Sequence, residues 1–162
     1  MFQEEKIWGL LESVCDPEIP VLTVIDMGVV RELKALGDNG VEVVITPTYS
    51  GCPAMNMIEM EIRATLETAG YRPVVVRTVL SPAWTTQWLS EAGRRKLEAY
   101  GIAPPVEETV DKTALFAAEK NVPCPRCHSS HTRMISQFGS TACKSLYQCQ
   151  DCLEPFDYFK CH

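Results

Sequence analysis

Two cysteine pairs near the end of the chain, Cys124-Pro-Arg-Cys127 and Cys149-Gln-Asp-Cys152, constrain it more than any other feature. A C-x-x-C turn presents two thiols on one side of a tight loop, and two such loops facing each other form a tetrahedral S₄ cage that suits zinc. Twenty-one residues separate the pairs, just past the roughly 15–20 usual for such sites. The spacing predicts a zinc ribbon over residues 123–162, with Cys124, Cys127, Cys149 and Cys152 as the zinc ligands. A module of that size cannot bury a sizeable core, so its fold should depend on the metal. In a secreted chain eight cysteines would suggest disulfides instead. The first residues, Met1-Phe-Gln-Glu-Glu-Lys6, lack the basic and apolar stretches of a secretory leader. No run of about 18 apolar residues marks a membrane span. The expectation is a cytoplasmic protein with reduced thiols and no membrane partner.

Two further cysteines of the tail, Cys143 and Cys161, lie outside the pairs, with His128, His131 and His162 nearby. Two readings stand: additional metal ligands forming a second soft site or replacing a pair member, and spare thiols in a metal-stapled module. Charge is uneven. Arg126, Arg133, Lys144 and Lys160 against Asp151, Glu154 and Asp157 leave the tail at +1, so the body carries −7 of a chain whose net charge is −6. An acidic body is poorly suited to tracking a phosphate backbone, which argues against nucleic acid as a partner.

The remainder reads as a small α/β domain over 1–102, joined to the ribbon by a linker over 103–122. Ile7, Leu10, Leu11 and Val14 follow helical spacing over 2–14, and Asp16-Pro17 ends that helix. Strands are expected over 28–36 and 41–46, with the turn formers Gly37-Asp38-Asn39-Gly40 between them. A helix over 53–69 stops at Gly70, and Val74-Val75-Val76 opens a third strand. A third helix is expected over 84–100, carrying Trp84 and Trp88 four residues apart as core or as a partner-facing patch. Gly101-Ile-Ala-Pro104-Pro105 marks the domain boundary. The expected order is therefore α-β-β-α-β-α followed by the ribbon.

The pointed chemistry of this domain lies in Thr46-Pro-Thr-Tyr-Ser-Gly-Cys52-Pro53, which leaves a strand and opens a helix. Proline suits the first helical position, placing Cys52 at or near the N-cap. There a thiol meets free backbone N–H groups and the positive end of the helix dipole, a setting that favours the thiolate needed for nucleophilic attack or metal ligation. The competing reading is a small buried residue in a tight turn. Cys15-Asp16-Pro17-Glu18 supplies two carboxylates rigidified by proline. Asp16 and Glu18 are hard-ligand candidates, or a turn cap and a solvated residue; Cys15 joins Cys52 if this loop folds over the same sheet end. A thiol enzyme using Cys52 would need a base, and the body contains no histidine.

Asp16-Pro-Glu-Ile-Pro, Ile25-Asp-Met-Gly-Val-Val30 and Thr46-Pro-Thr-Tyr-Ser-Gly-Cys-Pro53 together resemble the SufT-like family of small iron–sulfur assembly proteins, over roughly residues 4–80. Trp84-Thr-Thr-Gln-Trp88, Gly93-Arg-Arg-Lys-Leu97, Tyr100-Gly-Ile-Ala-Pro-Pro105 and the tail from Cys149 to Cys161 extend the likeness end to end, to the PaaD family of bacterial phenylacetate degradation. Proteins of that family accompany a multicomponent monooxygenase that epoxidises phenylacetyl-CoA, with a di-iron oxygenase and a reductase holding flavin and an iron–sulfur cluster. The resemblance implies an accessory rather than a catalyst, and a role in maturing the iron–sulfur or di-iron centres of those components. Cys52 is then the candidate ligand for iron or a transient cluster, with Asp16, Glu18 and Cys15 as further candidates. One cysteine cannot hold a cluster alone, so a homodimer bridging two Cys52 side chains is one expected arrangement. A non-catalytic structural subunit of the monooxygenase complex is the alternative within the same family.

Overall fold

The computed structural model describes residues 2–49, 51–106, 122–139, 141 and 143–159. Most of the expected linker and Cys161 lie outside them. The chain divides into two compact units, Met1–Gly93 and Arg94–His162. The sequence placed the boundary at 102, but Ile102–Ala103 pairs with the last strand of the second unit.

The first unit opens with α1 (Glu4–Leu11), which buries Ile7 and Leu11, one turn apart, and places Glu4 and Glu5 at the positive end of its dipole. Strands β1 (Val30–Leu36) and β2 (Gly40–Ile45) form an antiparallel hairpin. Helix α2 (Ala54–Thr68) then carries the chain to β3 (Val74–Thr78), which runs parallel to β2, as a helical crossover permits. The sheet order β1-β2-β3 makes β2 the central strand. Val41, Val43 and Ile45 alternate with Glu42 and Val44, yet Val44 is buried along with the other three, because both faces of the strand are covered. Its one charge, Glu42, meets Arg77 of β3 at 3.1 Å. Helix α2 buries Ala54, Ile58, Ile62 and Leu66, an unbroken i, i+4 stripe, and packs against β3 and α1. Full burial of each of these large aliphatic side chains contributes about 1.5–3 kcal/mol. The stripe thus fixes which end of α2 meets the end of β2.

The second unit contains β4 (Ile102–Ala103), β5 (Thr132–Ser136), β6 (Lys144–Cys149) and β7 (Pro155–Phe159), in the sheet order β4-β7-β6-β5. Helix α3 (Glu91–Tyr100) leads into β4. The core is small: Val122, Tyr147, Phe156 and Tyr158 with Ala103, Cys124 and Cys149. Tyr147 stacks on Phe156 at 5.9 Å between ring centroids and meets Tyr158 edge-on at 5.5 Å. The Tyr158 hydroxyl accepts the Val106 N–H.

The expected helix over 84–100 is two pieces. A 3₁₀ turn covers Thr86–Trp88, and α3 begins only at Glu91. Capping, not periodicity, sets that start. Ser90 Oγ accepts the Gly93 N–H at 2.9 Å, and Ser90 is itself held by Asp26, whose carbonyl takes the Ser90 N–H at 2.8 Å. Trp84 and Trp88 therefore do not share a helical face. Trp84 is buried and donates its indole N–H to the Met27 carbonyl at 2.7 Å. Trp88 lies under the Arg31 guanidinium, 3.6 Å from its ring centroid. Gly28 makes this packing attainable: its φ is +68°, and a Cβ there would stand 2.5 Å from the Trp88 carbonyl oxygen. Gly28→Ala is expected to cost about 2–4 kcal/mol, read by denaturant unfolding followed through tryptophan fluorescence; a loss under about 0.5 kcal/mol would contradict this packing account.

Candidate functional site

The structure brings the four cysteines of the two C-x-x-C pairs together. Cys124 Sγ lies 3.8 Å from Cys152 Sγ and Cys127 Sγ lies 3.5 Å from Cys149 Sγ, and all four sulfurs fall within 4.8 Å of one another. Four sulfurs at about 2.3 Å from a tetrahedral ion stand about 3.8 Å apart, so the cage fits such a metal. The two knuckles are built alike. The N–H of each leading cysteine bonds to a carbonyl five residues on, Cys124 to Ser129 at 2.9 Å and Cys149 to Glu154 at 3.0 Å. The residue after each second cysteine is left-handed, His128 at φ 62° and Leu153 at φ 65°. Such a conformation costs a side-chain-bearing residue about 1–2 kcal/mol. Cys124 and Cys149 are fully buried in the small core, whereas Cys127 and Cys152 are exposed.

Electrostatics point the same way. The Cys149 thiol is lowered to about 7, first by the Cys152 backbone N–H and then by that of Asp151, against the effect of burial. Cys152 moves oppositely. The Glu154 backbone N–H favours its thiolate, yet partial desolvation and the sulfurs of Cys149, Cys127 and Cys124 together push it up to about 12. Cys127 is also raised: the Ser129 backbone N–H lowers it, and the Cys149 sulfur and burial outweigh that. Crowded thiolates repel, so the cage resists full ionisation until a cation enters. Asp151, between the two ligands of the second knuckle, is held below the usual carboxylate range by the Ser129 hydroxyl and by His131. Sequence analysis gave Asp151 and Ser129 no role, because their partner lies in the other knuckle.

Cys52 belongs to the first unit, in the loop from β2 to α2. It is half-buried and lies just before Pro53, whose φ of −66° and ψ of −24° are already helical. Its carbonyl accepts the Met55 N–H at 3.2 Å. The first turn of α2 carries no carboxylate, so no acid of the helix itself offsets its positive end next to Cys52. Thr46, which begins the loop, is buried, and its Oγ1 has no hydrogen-bond partner among the described residues.

The remaining candidates are placed as follows. Asp16 is buried, and its Oδ1 accepts the N–H groups of Glu18 at 2.7 Å and Ile19 at 2.9 Å, the work of a turn cap. Glu18 is half-buried. Cys15 is half-buried in a one-residue bridge to Thr23, with Sγ 3.9 Å from the Ser13 carbonyl. Cys143 is buried beside the Thr141 hydroxyl at 3.2 Å. Among the described residues, the four cysteines of the cage are the convergent group of three or more ligand side chains; Cys52, Asp16, Glu18 and Cys15 form no second one.

Comparison with known proteins divides along the same line. Residues 4–76 match the family described as iron–sulfur cluster assembly protein, and residues 108–160 match the PaaD zinc β-ribbon domain. The chain is 50% identical over 159 residues to an Escherichia coli (strain K12) protein assigned as the D component of 1,2-phenylacetyl-CoA epoxidase, covering 98% of this chain and 93% of that one. It is 34% identical over 95 residues to an Fe-S protein maturation auxiliary factor of Porphyromonas gingivalis (strain ATCC BAA-308 / W83), covering 58% of this chain and 90% of the relative. A crystal structure of a DUF59 domain from Bacillus anthracis superposes with a TM-score of 0.55 at 27% identity, over 58% of this chain and 90% of that one.

Ligand thiols must deprotonate to hold a metal, so the affinity of the cage should fall as pH falls. All three tryptophans, Trp8, Trp84 and Trp88, precede residue 94, whereas Tyr147 and Tyr158 lie in the ribbon core. Chelation is therefore expected to abolish the tyrosine near-ultraviolet circular dichroism of the ribbon while leaving tryptophan emission unchanged, and to proceed faster at about pH 5.5 than at about pH 7.5. Ribbon signals indifferent to chelation at both pH values would show that the cage is not what folds the module.

Proposed function

The chain belongs to the family of D components of 1,2-phenylacetyl-CoA epoxidases, and we propose that it serves such an epoxidase as a non-catalytic maturation factor. In this reading the first unit hands iron or an iron–sulfur cluster to an epoxidase component through Cys52. The second unit recognises the component, with zinc as its structural metal at Cys124, Cys127, Cys149 and Cys152.

The observation that carries the reading is the setting of Cys52. A half-buried sulfur just before a helix whose first turn carries no acid is a good single ligand for iron and a poor cage. With no second convergent ligand group among the described residues, a cargo bound there takes its other ligands from outside: from the client, from small thiols, or from a second copy of the chain. Such sharing suits transfer, because the cargo leaves without dismantling a complete cage. Asp16 contributes by holding the 16–19 turn rather than by offering both oxygens to a metal. The ribbon cage is the opposite case: four ligands, two of them fully buried, suited to a resident ion. The zinc supplies the cross-link that the small core cannot. Reduced thiols at both sites suit work in the cytoplasm.

The naming of the Escherichia coli relative as an epoxidase subunit favours a second reading, stable membership of the epoxidase complex. Stoichiometric co-purification with the oxygenase after maturation is complete would select it.

The maturation reading is tested in cells lacking their own copy of the protein and producing the epoxidase components. Cys52→Ala is expected to lower iron incorporation into those components at least about tenfold at unchanged protein levels. Full iron content with the variant would remove Cys52 from the mechanism.

A further inference from the structure

The two knuckles match beyond their cysteines. Counted from the leading cysteine of each, the third residue of one knuckle reaches the sixth residue of the other, in both directions. Arg126 meets Glu154 at 3.3 Å, and Asp151 accepts the Ser129 hydroxyl. The chemistry is inverted across this approximate two-fold: a cation reaches out of the first knuckle and a carboxylate out of the second. The second contact is the stronger built of the two. Asp151 also takes His131 Nδ1 at 3.3 Å, the Ser129 hydroxyl in turn accepts the His131 N–H at 3.0 Å, and the Gln150 N–H reaches the His131 carbonyl at 2.8 Å. The residue matching Gln150 in the first knuckle is Pro125, which has no N–H to give. The paired side chains are exposed, whereas the sulfurs Cys127 and Cys152 mark the solvent side of the cage.

We propose that these reciprocal contacts are latches that set how fast the ribbon exchanges its metal, with Asp151 and Arg126 as positioning residues. For a metal to leave, the knuckles must part, and each latch spans the line along which they part. Neither residue touches the metal; each acts by keeping the opposite knuckle's thiols in place. The inference rests on the reading of Cys124, Cys127, Cys149 and Cys152 as a zinc cage.

The experiment is zinc release from the full-length zinc protein into excess chromophoric chelator, after metal analysis of each starting sample. Wild type, Asp151→Ala, Asp151→Asn, Glu154→Gln and the Asp151→Ala/Glu154→Gln double variant are compared. Loss of one exposed latch is expected to speed release about two- to fivefold, and loss of both to multiply the effects. Asp151→Asn, which keeps an acceptor oxygen for Ser129, should fall between wild type and Asp151→Ala. Raising salt to about 1 M should speed the wild type and leave the double variant nearly unmoved. If Asp151→Ala loses its zinc before assay, Glu154→Gln and Asp151→Asn carry the same comparison. Release from every variant at the wild-type rate, with the salt response unchanged, overturns the proposal. Wild-type protein that holds no zinc at all overturns the cage reading instead.

Discussion

Four sulfurs drawn within 4.8 Å of one another are the constraint on which the whole second unit depends. Thiolates so close repel: against the Glu154 backbone N–H, desolvation and the sulfurs of Cys149, Cys127 and Cys124 push Cys152 up to about 12, while backbone N–H groups, chiefly that of Cys152, bring Cys149 down to about 7. A cation at the centre reverses the sign of that repulsion. The metal then adds a cross-link to a small core, in which two tyrosines, a phenylalanine and a few small side chains pack around the cage and Phe159 and Ile102 are also buried. The left-handed residues His128 and Leu153 belong to the same logic: the turn that folds each pair of thiols together is costly, and the metal bond offsets that cost.

In the proposed function the first unit faces a different problem, which is to offer one sulfur while keeping it incompletely coordinated. Its means are ordinary packing. Strand β2 is buried on both faces, and the aliphatic stripe of α2 fixes the helix against β3, so the short loop between them presents Cys52 at a defined place. The two units thus hold opposite kinds of site. In the proposed reading one is closed and retains its metal, and the other is open and passes its cargo on. The Escherichia coli epoxidase relative matches across both units, over 98% of this chain, whereas the maturation factor matches over 58%.

Sequence made the closed site legible because both halves of each knuckle are local: a C-x-x-C pair announces its own geometry. The order α-β-β-α-β-α was legible for a similar reason, since apolar periodicity and Gly or Pro punctuation are local signals. What escaped depends on partners far along the chain. The start of α3 is set by Ser90 and Asp26, sixty-four residues apart, so periodicity alone ran the helix back through Trp84. Ile102–Ala103 looked like a boundary because its strand partner comes at Asp157 and Tyr158. Asp151 had no role legible in sequence because Ser129 and His131 lie far along the chain, beside the other knuckle. The cap role of Asp16 was open in sequence, as one of two readings; the bonds to Glu18 and Ile19 show the cap.

The central claim, one resident metal in the ribbon and one passing cargo at Cys52, is tested most directly by elemental analysis and visible absorption after anaerobic iron–sulfur reconstitution of wild type beside Cys52→Ala. The account predicts zinc in both proteins, with iron and a brown chromophore in the wild type alone. Zinc in both with no iron in either, or iron retained equally by Cys52→Ala, would contradict it.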